Sequence, residues 1–140
     1  MASLPVSSGI CHAKYWLIGH ALSGRPSRIA NNAAWIAPTA TIWSACVLRG
    51  DAAQFPIRIG ARVKLRDGTV VHSCWGRGAI IGDDVSIGHK ALMHACTLDS
   101  GSFVGGVSAV VTDHVVVLYR AMVAAGALVT PDQRIPEGQL

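Results

Sequence analysis

Three of the six histidines stand in a regular relation to one another along the chain. His72 and His94 each follow an aliphatic residue directly and are 22 residues apart, whereas His89 follows an aliphatic residue by two positions. Three neutral imidazoles with a fourth position open to water are the ligand set of a catalytic zinc centre, where the metal lowers the pKa of its bound water to about 7. The sequence therefore predicts a metal site with these three ligands. The alternative is that His72 and His94 only stack on a solvent-facing ladder and that His89 caps a turn. The other histidines, which show no such relation, are His12, His20 and His114.

Aliphatic residues that recur every six positions predict the elements that position the histidines. The series are Ile59, Leu65 and Val71; Ile81, Ile87 and Met93; Leu98, Val104 and Val110; and Val117, Val123 and Val129. Three hexapeptides make one coil of about eighteen residues, whose short strands pair with the coils above and below. The glycines that suit tight corners of such a coil are Gly60, Gly82, Gly88 and Gly105. A β-sandwich would use similar residues but has no reason to keep a six-residue period, so we predict an all-β chain folded as a parallel β-helix of hexapeptide repeats.

This repeat also predicts where each histidine lies. The separation of His72 and His94 equals one coil plus the four extra residues of a loop at 74–78, so the two should stack on one face. His89 belongs to the preceding edge of the same coil as His94 and should point around a corner. A neighbouring chain would then have to supply the third ligand, which predicts a cyclic homotrimer with three equivalent sites between subunits.

Several charged residues are also spaced by about one coil. Asp67 precedes His89 by 22 residues and should lie one coil below it, and Arg49 precedes Asp67 by 18. An Arg49–Asp67 ion pair at a subunit edge, with Asp51 beside it, would fix the register of the interface and orient a ligand histidine. The alternative is that these are ordinary solvated charges of little energetic value.

Length and composition indicate one domain with a thin aliphatic core. The 140 residues are 51% hydrophobic but only 6% aromatic, so Val, Ile, Leu and Ala must fill the interior. We assign residues 25–140 to the β-helix. Residues 1–24 carry no repeat, and we predict a poorly ordered or loosely packed N-terminal extension.

Several functional classes are disfavoured by the same data. The net charge of +4 comes from scattered arginines without a basic run, so we expect no nucleic-acid partner. No stretch approaches the roughly 20 apolar residues of a membrane span. The four cysteines form no CxxC pair, and the sequence shows no secretory signal, so we predict a soluble, cytoplasmic protein.

Several segments resemble those of one known family. They are Ile36-Ala37-Pro38-Thr39-Ala40-Thr41, Val47-Leu48-Arg49-Gly50-Asp51, Asp67-Gly68-Thr69-Val70-Val71-His72, Ile87-Gly88-His89 and Leu92-Met93-His94-Ala95-Cys96-Thr97. In type and order they resemble the γ-carbonic anhydrase-like group of hexapeptide-repeat proteins, over residues 21–140. The resemblance implies a left-handed β-helix and a lyase that reversibly hydrates CO2 to bicarbonate by metal-bound hydroxide, with Zn²⁺, or alternatively Fe²⁺ or Co²⁺, as the metal. It also implies that His72, His89 and His94 are the ligands, that Asp67 and Arg66 occupy catalytic positions, and that Arg49, Asp51 and Asp67 lie near the trimer interface.

Departures from the family keep two other functions open. Family members usually carry Gln at the position of Arg66 and Gly at that of Lys90, and a guanidinium cannot accept a hydrogen bond. The sequence also stops where the family continues into a C-terminal helix, so we expect that helix to be absent. A catalytically weak or inactive metal-binding trimer that serves as a scaffold is the first alternative. A hexapeptide acyltransferase, in which one histidine acts as general base, is the second.

Overall fold

The computed structural model describes residues 34–140 in full and the strand backbones at 15–18 and 27–30. The strands are β1 (Tyr15–Ile18), β2 (Ser27–Ala30), β3 (Ala34–Ile36), β4 (Thr41–Ile42), β5 (Val47–Gly50), β6 (Ile57–Ile59), β7 (Lys64–Leu65), β8 (Val70–Ser73), β9 (Ala79–Ile81), β10 (Ser86–His89), β11 (Leu92–His94), β12 (Thr97–Leu98), β13 (Phe103–Val107), β14 (Val110–Val111), β15 (Val116–Val117), β16 (Met122–Val123), β17 (Leu128–Val129) and β18 (Arg134–Ile135). The described part of the chain contains strands and turns and no helix.

The strands stack into three parallel sheets that form the three faces of a β-helix. Face 1 consists of β3, β6, β9, β12, β15 and β18; face 2 of β4, β7, β10, β13 and β16; and face 3 of β2, β5, β8, β11, β14 and β17, with β1 paired antiparallel to β2 at its edge. From β3 onward the chain visits faces 1, 2 and 3 in turn through five coils, and β18 begins a sixth. The predicted all-β, parallel β-helix architecture is confirmed. Its left-handed winding stays a prediction.

One aliphatic residue from most strands fills the interior of each coil. The largest fully buried side chains are Leu48, Ile57, Leu65, Ile81, Ile87, Met93, Leu98, Val63, Val71, Val85, Val104 and Val111. Burying each large aliphatic side chain stabilises the fold by about 1.5–3 kcal/mol. The aliphatic residues that recur every six positions are therefore the residues that form and stabilise the core.

One member of the predicted series was wrong. Val111 is fully buried, whereas Val110 is partly exposed on the outside of face 3. The pairing of β10 with β13 shifts register between Ile87 and His89, because β13 contains one extra residue at this point. The inward position after Val104 therefore comes seven residues later instead of six.

Two loops lie together at the corner between face 3 and face 1. Residues 51–56 connect β5 to β6, and residues 74–78 connect β8 to β9 one coil later. The second loop protrudes as predicted: Cys74 and Arg77 form an antiparallel bridge, and Trp75 at its tip is 75% exposed. The amide of Ala79 donates a hydrogen bond to the carbonyl of Pro56 at 3.2 Å, which joins the two loops beside the candidate site.

The predicted N-terminal extension overlaps the described residues only in part. β1 falls within residues 1–24 and pairs with β2, which in turn joins face 3 through β5. Residues 1–14 and 19–24 lie outside the described residues, so the loose packing of the extension stays a prediction.

Candidate metal centre

A row of polar side chains runs up the outside of face 3. Arg49, His72 and His94 occupy equivalent positions in β5, β8 and β11 and are in register with one another. They point outward because the residue before each of them fills the core. The imidazole rings of His72 and His94 lie edge to face with centroids 4.7 Å apart. The two histidines therefore stack one coil apart on one face, as the repeat predicted.

His89 lies on a different face of the same coil. It is the last residue of β10 on face 2, and its side chain is 49% exposed. Lys90 and Ala91 then turn the corner into β11 on face 3, which carries His94. The three predicted ligands are thus divided between two faces, with two on face 3 and one at the corner that precedes it.

Each of the three histidines is paired with a carboxylate through one ring nitrogen. The pairs are His72 Nε2 with Asp51 Oδ2 at 2.7 Å, His94 Nδ1 with Asp113 Oδ1 at 2.8 Å, and His89 Nδ1 with Asp67 Oδ2 at 3.2 Å. A carboxylate on one ring nitrogen fixes the tautomer and orientation of an imidazole and raises the basicity of the other nitrogen, which is the usual second shell of a metal-bound histidine. His72 keeps Nδ1 as a potential ligand, and His89 and His94 keep Nε2. The donor set fits a divalent metal such as zinc.

The carboxylates of this group respond to their partners. The hydrogen bond from His72 lowers the pKa of Asp51 from its ordinary value of 3.8, burial opposes this shift, and Arg49 adds to it. Burial raises the pKa of Asp113, but the hydrogen bond and the charge of His94 outweigh burial, so the net shift is downward. Both carboxyl groups are therefore held in the ionised form that accepts a hydrogen bond from an imidazole.

Asp113 was not identified from the sequence, although a signal for it existed. It lies 19 residues after His94, which is about one coil, and it pairs with that histidine. The same arithmetic that placed Asp67 under His89 would have found it.

The predicted Arg49–Asp67 pair was wrong for contacts within the chain. Arg49 Nε donates to Asp51 Oδ1 at 2.8 Å, and Arg49 Nη2 lies 3.2 Å from Asp51 Oδ2. An 18-residue separation corresponds to one coil only where no loop intervenes. The loop at 51–56 lengthens this coil to 23 residues, so Arg49 is in register with His72 and Asp67 lies beneath His89.

Arg66 lies next to Asp67 but is engaged with an aromatic ring. Its guanidinium carbon is 4.6 Å from the centroid of the Trp43 ring, within the range of a cation–π interaction. The positive charge of Arg66, which the sequence predicted to lie near the site, therefore stacks on the ring of Trp43.

A second group of ligand atoms lies on the other side of His94. Potential ligand atoms of Cys74, His94 and Asp113 are all within 4.8 Å of one another, and Cys74 Sγ is 3.7 Å from Asp113 Oδ1. Burial raises the pKa of the Cys74 thiol, and the negative charge of Asp113 raises it further. The sequence placed Cys74 in the protruding loop but gave it no role.

An apolar row runs beside the histidine row on the outside of face 3. Its members are Val47, Val70, Leu92, Val110 and Leu128, which are in register from coil to coil. The first four are partly exposed, and Leu128 is 65% exposed. Contiguous apolar residues on an outer surface are typical of a protein–protein interface. No helix among the described residues is long and apolar enough to cross a membrane.

Comparison with known proteins identifies relatives of this chain. No family model matches the chain. It is 42% identical to gamma carbonic anhydrase 2, mitochondrial, of Arabidopsis thaliana, over 71% of this chain and 37% of that protein. It is 37% identical to gamma carbonic anhydrase 1, mitochondrial, of the same plant, over 80% of this chain and 46% of that protein. The matches therefore span less than half the length of these two relatives. Among solved structures, a hexapeptide transferase family protein from Anaplasma phagocytophilum has a TM-score of 0.73 and 37% sequence identity, over 83% of this chain and 65% of that one.

Proposed function

Because the chain belongs to the γ-carbonic anhydrase-like family of hexapeptide-repeat proteins, we propose that it reversibly hydrates CO2 at a three-histidine metal site between subunits. His72 and His94 of one chain and His89 of its neighbour would hold the metal. The observation that carries the proposal is that all three histidines contact a carboxylate through one ring nitrogen, which leaves the other nitrogen to coordinate a metal.

Zinc suits three imidazole ligands best, and Fe²⁺ or Co²⁺ can occupy the same donor set. A bound divalent metal supplies hydroxide at neutral pH by lowering the pKa of its water. This chemistry needs a fourth, open coordination position, which three protein ligands leave free.

The charged residues of the chain have defined parts in this proposal. Asp67 orients His89, and Asp51 orients His72 while Arg49 holds Asp51 in place. Arg66 adjoins Asp67, and its positive charge favours an anionic nucleophile and the bicarbonate product. It cannot accept a hydrogen bond, so it cannot replace the amide acceptor of a glutamine.

The division of the ligands between two faces supports a homotrimer. His89 lies around a corner from His72 and His94, so cyclic packing of face 3 against the corner of a neighbouring chain would bring three ligands together. The apolar row beside the two histidines gives that packing a hydrophobic contact.

The shared site can be tested by mixing two inactive variants. Stopped-flow CO2 hydration is measured on metal-loaded protein, first for wild type and then for His72→Ala and His89→Ala separately. We expect both variants to lose activity to the buffer rate, and His114→Ala, an exposed histidine outside the group, to keep it.

Refolding His72→Ala and His89→Ala together gives trimers in which one chain supplies His72 and the other supplies His89. Random mixing restores roughly one site in four, so we expect roughly a quarter of the wild-type activity. No recovery in a mixture shown to contain mixed trimers would contradict a shared site. A wild-type rate no higher than that of buffer, with metal bound, would contradict the carbonic anhydrase reaction.

A metal-binding scaffold is the second candidate, and Arg66 is the observation that favours it. A scaffold predicts a wild-type rate near that of buffer, together with higher activity in Arg66→Gln. An active wild-type protein would exclude it. Acyl transfer is favoured by the solved neighbour described as a hexapeptide transferase and would need only one histidine as general base. Turnover of acetyl-CoA that is insensitive to metal removal would support it.

Two cellular compartments are proposed for this chain. The cysteine usage predicts the cytoplasm, whereas the two plant relatives are named as mitochondrial proteins. Imaging of the tagged full-length protein in its own cells distinguishes these locations.

A further inference from the structure

We propose that Cys74, His94 and Asp113 form a second divalent-cation site within a single chain, with a preference for borderline-soft ions such as Zn²⁺ or Co²⁺. The three residues offer one thiol, one imidazole and one carboxylate, a mixed set that selects such ions over the oxygen-preferring Mg²⁺ and Ca²⁺. Neither His72 nor His89 takes part in it.

The spacing of the ligand atoms fits a tetrahedral ion after small movements. Bond lengths of about 2.0–2.3 Å place neighbouring ligand atoms of a tetrahedral zinc roughly 3.3–3.8 Å apart. Cys74 Sγ and Asp113 Oδ1 are 3.7 Å apart, and His94 Nδ1 is 2.8 Å from Asp113 Oδ1. All three ligand atoms lie within 4.8 Å, so a shift of one side chain by about 1 Å brings each to coordinating distance.

The backbone holds the three ligands on successive coils. Cys74 directly follows β8 and is fixed by two backbone hydrogen bonds with Arg77, each 3.2 Å long, across a tight turn. His94 ends β11 in the next coil, and Asp113 follows β14 in the coil after that. All three side chains are partly buried, which limits their freedom to move apart. An ion at this position would tie three coils together.

This site competes with the proposed shared site for one residue. A neutral imidazole has a single nitrogen with a free lone pair, so His94 can bind through Nδ1 beside Asp113 or through Nε2 beside His72. In the first case Asp113 is a ligand, and in the second it orients the ring. The thiol of Cys74 releases its proton to solvent when it binds the ion.

The experiment is a Co²⁺ titration of the full chain, with the thiolate-to-cobalt charge-transfer band in the near ultraviolet as readout. His89→Ala cannot build the shared site but keeps all three residues of the intrachain site. We expect the band in His89→Ala, with one equivalent of Co²⁺ bound per chain.

In the His89→Ala background, we expect Cys74→Ser to abolish the band and Asp113→Asn to weaken Co²⁺ binding by about tenfold or more. The matched control is His114→Ala, which removes an exposed imidazole paired with Asp132 at 3.2 Å and should leave the titration unchanged. Far-ultraviolet circular dichroism of each variant checks that it has folded.

Absence of the band in folded His89→Ala would overturn the inference, as would a band that survives Cys74→Ser, since another thiol would then be the ligand. Either result leaves the proposal of CO2 hydration at the shared site untouched, because that site also needs His72 and His89, which take no part in the intrachain site. Loss of hydration in His89→Ala with the band retained would support both proposals.

Discussion

The three candidate ligand histidines differ from ordinary surface histidines in their hydrogen-bond partners. His72, His89 and His94 each have one ring nitrogen committed to a carboxylate and one free. His114 is also 3.2 Å from a carboxylate, that of Asp132, but it belongs neither to the row of His72 and His94 nor to the corner that carries His89. Pairing with an acid orients a ring, and position on the repeat decides whether several rings converge.

The pair of Asp51 and His72 makes stability depend on pH in the metal-free protein. The folded pKa of Asp51 lies below its ordinary value of 3.8, so its contribution to stability is present above that pH and is lost as the pH falls through the folded pKa. We expect the free energy of unfolding to decrease on acidification below about pH 4, and Asp51→Asn to show a shallower decrease over the same interval. Urea denaturation in chelator at a series of pH values measures both. Superimposable profiles for the two proteins would contradict the assignment.

Lys90 occupies a backbone conformation that suits glycine. Its φ is 55°, in the left-handed region, where an L-residue is strained by roughly 1–2 kcal/mol. Glycine removes that strain but loses more chain entropy on folding, so we expect Lys90→Gly to raise the free energy of unfolding by about 0.5–1 kcal/mol.

Lys90→Ala is the matched control, because it removes the same charge and keeps the strained φ. It should not be more stable than wild type in urea denaturation. Equal stabilisation by both substitutions would instead mean that the charge of Lys90 is the destabilising feature.

At the scale of the strand, the coils approach so closely that some positions have no room for a side chain. A Cβ added to Gly88 in β10 would collide with the carbonyl oxygen of Gly105 in β13, and one added to Gly105 would collide with the backbone at Ala125. The glycines predicted to form corners therefore serve close approach between coils. The left-handed conformations fall on the corner residues themselves, such as Arg62 and Asp84.

We expect Gly88→Ala to lower the free energy of unfolding by about 1–3 kcal/mol, because the added methyl group meets backbone that cannot move aside. Gly106→Ala in the neighbouring strand is the control, since a Cβ at Gly106 has no atom within 4 Å. Denaturant unfolding of the two variants measures the difference. Similar stability of the two would show that the coils can separate at this position.

The repeat explains why so much of the architecture could be predicted from the sequence. Each buried aliphatic residue recurs at a fixed spacing, so the period reveals the coil and places His72 under His94. Positions predicted from sequence separation are wrong where a coil is longer than eighteen residues. The loop at 51–56 displaced Arg49 from its predicted partner, and the extra residue in β13 moved the inward position from Val110 to Val111. Loop residues such as Cys74 follow no period, so their contacts are found only in three dimensions.

For the whole molecule, face 3 combines a row of potential ligands with a row of aliphatic side chains that a single chain leaves partly exposed. In a monomer, the exposed Leu128 and the partly exposed Val110 and Leu92 would each have an unfavourable free energy of hydration. A neighbouring chain that covers this row would also bring its own corner, with His89, toward His72 and His94. Assembly and metal binding at the shared site are therefore expected to fail together.

Leu128→Asp tests this coupling without disturbing the core, because the side chain is 65% exposed. A buried carboxylate at a subunit contact has a desolvation cost of several kcal/mol, so we expect the variant to shift from trimer to monomer in analytical ultracentrifugation at micromolar concentration. CO2 hydration should fall in proportion to the trimer lost, since each shared site needs two chains. Leu140→Asp places the same charge at a residue that is 76% exposed and lies outside the apolar row, and it should leave mass and activity unchanged. A Leu128→Asp variant that remains trimeric would place the interface elsewhere, and a fully active monomer would show that one chain is sufficient for catalysis.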